Sequence, residues 1–277
     1  MTGVQTCALP IFLGSHYRNG SKLVERLHSS GARYWPGTSV WEISAAEEPT
    51  LAVGVVRDGR VRMIQAGHII LATGAMERPT PFPGWTLPGV MTVGAAQTLL
   101  KSSGLVPDGR IAVAGSGPLL YLYVSQLIKA GKKPQVILDT RPRASLQAKL
   151  SVLTALTVDP ASMFRGLGWM REVRREVRVR ERVHQLRAGG VEKLSSISYE
   201  SCDRQFTDEV DLLLVHDGVI PNTWLAMSAG CRHHWHAQQR CWVPDITGVG
   251  QTSRQSVSVR SEDHTSELQS RTKLVCR

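Results

Sequence analysis

The chemistry in this chain starts at a glycine turn. Gly115-Ser116-Gly117-Pro118 follows a short apolar run, Ile111–Ala114. It precedes a segment in which Leu119, Leu120, Tyr123, Leu127 and Ile128 recur at helical spacing. Gly131 stands where that helix would be capped, and a second apolar run, Val136–Leu138, ends on Asp139. Strand, glycine turn, helix, strand and acid make the βαβ order that aims free N–H groups and the positive end of a helix at a phosphate. The residue types suit that task. Gly115 permits the sharp turn, Gly117 lets backbone approach a pyrophosphate, and Asp139 can accept hydrogen bonds from a ribose hydroxyl. Arg141 and Arg143 suit a 2′-phosphate or solvent. Leu120 replaces the third glycine of G-x-G-x-x-G, so the helix must repack locally or stand off the strand.

Other residues compete for a chemical role. Cys231, His233, His234, His236 and Cys241 lie within eleven residues, but C-x-H-H-x-H-x4-C matches no standard zinc spacing, and no metal is expected. Ser116 lacks the G-x-S-x-G order of a nucleophile elbow. Glu77-Arg78 could contact a subunit or a substrate, although such a pair beside proline is more often a solvent-facing turn. His216-Asp217 follow an apolar run and could lie near a cofactor. No residue identifies itself as a catalytic acid or base.

These residues need elements to hold them. Phe12–Gly31 reads as the end of a helical segment with Leu23, Val24 and Leu27 inward. Tyr34–Ile43 reads as extended. Leu51–Val56 and Val61–Ile64 read as a hairpin turned by Asp58-Gly59. A short strand over His68–Ala72 stops at Thr73-Gly74-Ala75. Met76–Val90, rich in proline, reads as a connector, and Val93–Ser102 as a helix. Ala144–Leu156 and Ala161–Glu181 read as helices, Val191–Tyr199 and Asp211–Val215 as strands, and Gly218–Asn222 as a turn into a helix over Thr223–Ala229. The second long helix would carry Arg171, Arg174, Arg175, Arg178, Arg180 and Arg182. Glu172, Glu176 and Glu181 interleave with them, which favours a salt-bridged face over nucleic-acid binding.

The 277 residues, 42% hydrophobic and 20% charged with net charge +10, suit a globular chain with a sizeable core. Ile111–Ile128 carries no charge over 18 residues, but the glycine–proline interruption argues against a membrane span. Away from the ends, Cys202, Cys231 and Cys241 form no C-x-x-C pair, so a redox dithiol is not indicated and a reducing cytoplasm is expected. Met1–Ile11 resembles the translation of a sequencing adapter, and Ser261–Ser270 resembles its opposite strand. Both are set aside as artefacts.

With these pieces in order, the chain resembles the two-dinucleotide-binding-domain flavoproteins, the pyridine nucleotide-disulfide oxidoreductase superfamily. The motifs are HIILATGAMERPTPFPGW (His68–Trp85), GSGPLL (Gly115–Leu120) and DLLLVHDGVIPN (Asp211–Asn222). ERPTPFPGWTLPGVMTVGAAQTLLKSSG and GCRHHWHAQQRCWVPDI are similar to the FAD-binding large subunit of opine oxidase, hydrogen cyanide synthase and D-hydroxyproline dehydrogenase. The resemblance implies an α/β fold, a Rossmann-like NAD-type domain inserted in an FAD domain with a β-meander. It implies FAD and NAD(P) as cofactors, an amine-type substrate and, as partner, a second flavoprotein subunit.

Ala72, Thr73 and Gly74 resemble the segment that passes close to FAD. Gly115, Ser116, Gly117 and Pro118 resemble the second nucleotide loop. Gly218, Pro221 and Asn222 resemble the return crossing into the FAD domain. The implied segments are 12–98 (partial FAD domain), 99–216 (NAD(P)-type domain), 217–253 (return, incomplete) and 254–277 (frame drift and adapter). The first glycine-rich loop, the later Gly-Asp motif and the iron–sulfur cysteines are missing. The resemblance therefore implies an internal fragment that binds nucleotide without turning over. For the intact parent, oxidation of an amine through flavin stands beside NAD(P)H-dependent flavin reduction as the alternative.

Overall fold

A computed structural model describes residues 21–45, 50–141 and 160–260. The chain divides into a discontinuous unit, Lys22–Met76 with Val219 onward, and a central unit, Glu77–Gly218.

The discontinuous unit begins with α1 (Ser21–Ser29) and a meander of β1 (Thr38–Ala45), β2 (Leu51–Arg57) and β3 (Arg60–Ala66). Asp58 and Gly59 both have positive φ, 50° and 70°, as a two-residue type I′ hairpin turn requires. Two short strands follow, β4 (Ile69–Leu71) and β5 (Ala75–Glu77).

The central unit opens with β6 (Val90–Thr92) and α2 (Val93–Ser103), whose N-cap Thr92 accepts from the Ala95 N–H. Then come β7 (Ile111–Gly115), α3 (Pro118–Lys129), β8 (Val136–Asp139), α4 (Pro160–Glu176) and β9 (Arg178–Glu181). A second meander, β10 (Val183–Gly189), β11 (Ser196–Ser201) and β12 (Arg204–Glu209), leads to β13 (Leu212–His216). Five strands form one parallel sheet in the order β6-β13-β7-β8-β9. Its inner strands β7, β8 and β13 are largely apolar on both faces because both are covered, while the edge strand β9 is charged and partly exposed. Ile111, Val113 and Ile137 join the cluster with α2, α3 and α4, while Ala112, Ala114, Val136 and Leu138 join the cluster with the second meander. The crossovers leave the strand ends that carry Gly115, Asp139 and His216 along one edge.

The chain then completes the discontinuous unit with β14 (Val219–Pro221), α5 (Trp224–Ser228), β15 (His233–His236), β16 (Cys241–Pro244) and β17 (Val257–Val259). β17 runs parallel to β4, and Ile43, Leu51, Leu71, Leu225 and Val257 share one core.

Several sequence expectations are corrected here. Residues 254–260, set aside as frame drift, contain β17; its alternating Val257 and Val259 are buried. Residues 77–98 belong to the central unit, because β6 is an edge strand of its sheet and α2 covers that sheet. The long basic helix ends at Glu176, and Arg178–Glu181 pairs with β8 instead, since sheet pairing outweighs helix periodicity there. Leu23, Val24 and Leu27 are exposed. Val191 is 97% exposed, and the strand there begins only at Ser196. The expected connector contributes Met76 and Glu77 to β5 and Val90 to β6. Met1–Ile11, Phe12–Gly20, Arg143, the expected helix over Ala144–Leu156 and Ser261 onward lie outside the described residues.

Candidate nucleotide site

The glycine loop is shaped first by the neighbouring strand. Gly115 ends β7 with φ +133°, and a Cβ there would lie 1.7 Å from the His216 carbonyl oxygen. That oxygen accepts from the Ser116 N–H at 2.9 Å, and the Gly115 carbonyl accepts from the Thr140 N–H at 3.1 Å. Only glycine fits between β7 and β13 at this point.

Gly117 is the N-cap of α3, with φ +97° and no side-chain cap. Pro118 at the first helical position lacks an N–H. The first-turn N–H groups of Leu119 and Leu120 therefore receive no capping side chain, and the positive helix end faces the loop. Leu120 itself is 1% exposed and packs in the core with Val93 and Leu100. The position of the third glycine is thus filled by a core side chain.

Asp139 is 3% exposed at the end of β8 and already engaged. The Tyr121 hydroxyl donates to Oδ2 at 2.9 Å, and Arg141 donates through its backbone N–H to Oδ1 at 3.0 Å and through Nε at 2.9 Å. Arg141 Nη2 forms a further ion pair with Oδ2. Burial pushes the Asp139 carboxyl up, but the Arg141 contacts and the Tyr121 hydroxyl outweigh it and hold the group below the usual range. The carboxylate expected to meet a ribose is thus met by its own chain.

A cavity of about 250 Å³ opens at the same strand edge, lined by Arg78, Thr80, Gly115, Thr140, His216 and Asp217 among others. Its buried polar group is a pair that sequence spacing could not bring together. His216 Nδ1 lies 2.7 Å from Glu77 Oε1, and Glu77 Oε2 accepts from the Gly94 N–H at 2.6 Å, in the first turn of α2. Burial raises the Glu77 carboxyl, yet hydrogen bonds from His216, Thr92 and Gly94 bring it below its ordinary value. Glu77-Arg78 is therefore not the solvent turn that its prolines suggest: the Glu77 side chain is only 10% exposed, and Arg78 Nε donates to the Asp217 carbonyl.

In the discontinuous unit, the Thr73 hydroxyl donates to the Asn222 carbonyl at 2.9 Å, and the Asn222 N–H donates to the Gly74 carbonyl at 3.1 Å. Ala72 is exposed just beyond β4, and Pro221 is buried at the end of β14. Gly218 closes the central unit with φ +90° and open space where a side chain would begin. The histidine cluster is a hairpin, with His233–His236 on β15 paired to Cys241–Pro244 on β16. His234 bonds Asp245, and Cys231 donates to Thr252. Among the described residues no group of three metal-ligating side chains converges.

Known proteins extend this picture. No family model matches the chain. An opine oxidase subunit of Agrobacterium tumefaciens is 36% identical over 255 residues, covering 91% of this chain and 50% of that protein. Bacillithiol disulfide reductase of Bacillus cereus superposes with TM-score 0.60 at 14% identity, over 86% of this chain and 66% of that one. A FAD-dependent pyridine nucleotide-disulphide oxidoreductase of Desulfovibrio vulgaris gives 0.52 at 18% identity, over 80% and 52%. The fold is that of the two-dinucleotide-binding-domain flavoproteins. The chain spans about half the length of the curated opine oxidase subunits it matches. Its relatives and structural neighbours are oxidoreductases, and no helix among the described residues is long and apolar enough to cross a membrane.

Proposed function

We propose that this chain is the nucleotide-binding part of an FAD-dependent oxidoreductase acting on an amine-type substrate of the opine or amino-acid class, in complex with a second flavoprotein subunit. The observation that carries the reading is the Gly115–Pro118 loop, whose uncapped helix end and side-chain-free Gly117 present N–H donors to a phosphate. The residues fit such a group, because nothing but the His216 ring comes within 4 Å of the missing Gly117 side chain.

Ala72, Thr73, Gly74, Gly218, Pro221 and Asn222 are the residues proposed to hold FAD. Gly74 and Gly218 leave open space at the missing Cβ, which suits a close backbone approach. Flavin, when bound, supplies the redox chemistry; the protein supplies binding, orientation and electrostatics. The Agrobacterium relative is named as one subunit of an opine oxidase, which supports both the substrate class and the need for a partner. Cys202, Cys231 and Cys241 form no C-x-x-C or C-x4-C pair, which speaks against the disulfide-reducing branch.

Titrating FAD into the purified chain tests the reading. A stoichiometric, shifted flavin spectrum is expected, and an unshifted spectrum at saturating protein refutes flavin binding by these residues. The NAD(P)H-dependent flavin reductase reading ranks second, because Asp139 is taken by Arg141 and Tyr121.

A further inference from the structure

His216 stands beside the loop in an arrangement that the glycine motif does not explain. Its side chain is 3% exposed, and its Nδ1 is held by Glu77. Glu77 is in turn held at the start of α2, where the Gly94 N–H and the helix dipole favour its ionised form. A Cβ at Gly94 would lie 2.6 Å from Glu77 Oε2, so glycine at that position is part of the same arrangement. Nε2 carries no hydrogen bond among the described residues and points at Gly117, where a Cβ would lie 3.6 Å from it. An oriented imidazole nitrogen, on a side chain that is 3% exposed and fixed through its other nitrogen, thus faces an uncapped helix N-terminus.

We infer that His216 is a ligand of the phosphate bound at the Gly115–Pro118 loop, donating from Nε2 while its Nδ1 is held by Glu77. The inference rests on the nucleotide reading of the loop and names the group that completes it. The ligand class is a nucleotide with a pyrophosphate bridge. With Nδ1 committed to Glu77, Nε2 is the ring nitrogen left to meet the phosphate. Charged groups at this edge also include Arg78, Asp217 and the paired Asp139 and Arg141. Arg78 Nε donates to the Asp217 carbonyl, and both side chains line the cavity beside His216.

The test uses the full chain with ADP-ribose, which carries a pyrophosphate, and adenosine, which has no phosphate. His216→Gln should weaken ADP-ribose about tenfold, the effect of one charge-assisted hydrogen bond, and leave adenosine unchanged. Glu77→Gln keeps the imidazole but loosens its hold, and should weaken ADP-ribose by less than His216→Gln does, again with adenosine unchanged.

ADP-ribose affinity unmoved in His216→Gln, or equal losses for the two ligands, overturns the inference alone. Failure of the unsubstituted chain to bind either ligand overturns the nucleotide reading as well. Should His216→Gln not fold, Glu77→Gln decides, and an unmoved ADP-ribose affinity refutes the role.

Discussion

Arg141→Ala should turn a poor NADH site into a better one. A ribose diol placed at this loop would compete with Arg141 for the Asp139 carboxylate. Arg141 reaches it through the backbone N–H, Nε and Nη2, and its guanidinium lies 5.7 Å from the Tyr121 ring centroid. A ribose diol on a free carboxylate gains roughly 1.5–3 kcal/mol from charge-assisted hydrogen bonds. Displacing the half-exposed Arg141 guanidinium first costs about 1 kcal/mol of screened pairing, which offsets much of that gain in the unsubstituted chain. Removing the guanidinium removes the competitor, and NADH should bind about fivefold more tightly. NADPH should gain nothing, since the freed carboxylate repels a 2′-phosphate. The stability loss should stay near 1 kcal/mol, because the Arg141 side chain is 43% exposed and its pairing is screened. Titration followed by nicotinamide fluorescence measures both affinities. Equal or weaker NADH binding by the variant, in a chain with an unchanged melt, would show that Arg141 is not the competitor.

Three further outcomes follow from the same contacts. Gly115→Ala forces a Cβ to 1.7 Å from the His216 carbonyl and should cost more than about 4 kcal/mol, read as loss of soluble protein or a collapsed urea midpoint; a near-normal midpoint contradicts the strand approach. Leu120→Gly restores the third glycine but empties a core position that is 1% exposed, and should lower the melting temperature by about 10 °C, from about 4 kcal/mol of lost packing and helix propensity. Glu77 is held below its ordinary value in the folded state, so its contribution is present above pH of about 4.5 and lost as pH falls through the folded value. Glu77→Gln should therefore flatten that acid limb in urea titrations between pH 5 and 3, and an unaltered limb would assign the acid sensitivity elsewhere.

What the sequence disclosed was what neighbouring residues decide. The Asp58-Gly59 turn, the Thr92-capped helix and the strand–turn–helix around Gly115 are local, and each lies where its residues point. What it withheld depends on partners far along the chain. Arg178–Glu181 carries a charge pattern that suits a helix and becomes a strand because β8 offers an open edge. Arg174 pairs with Glu181, and Arg178 with Asp208 on β12, rather than with helical neighbours four residues away. β10 and β12 went unseen because their exposed, polar faces hide the alternation that Tyr199 and Ile197 show between them. Glu77 and His216 are separated by 139 positions, so no spacing rule could pair them.

The glycine loop shows why a motif of this length underdetermines its own meaning. Gly115 is required by the His216 carbonyl whether or not a nucleotide ever binds, since the clash is between two strands of the same sheet. Leu120 satisfies the core, and a glycine there would weaken it. Asp139 is neutralised from within by Arg141. Of Gly115, Gly117, Leu120 and Asp139, only Gly117 is free of an internal demand close enough to decide the residue, because its nearest neighbour is His216 Nε2 at 3.6 Å. A functional claim on this loop therefore rests on Gly117, the uncapped helix end behind it and the imidazole facing it. A Gly117→Ala variant separates the two demands. Ordinary contact distance to His216 leaves positive φ as the main structural cost, on the order of 1 kcal/mol. A loss of ADP-ribose affinity far beyond that, with the fold retained, would mark the position as a phosphate approach; affinity that merely follows stability would reduce the loop to a turn.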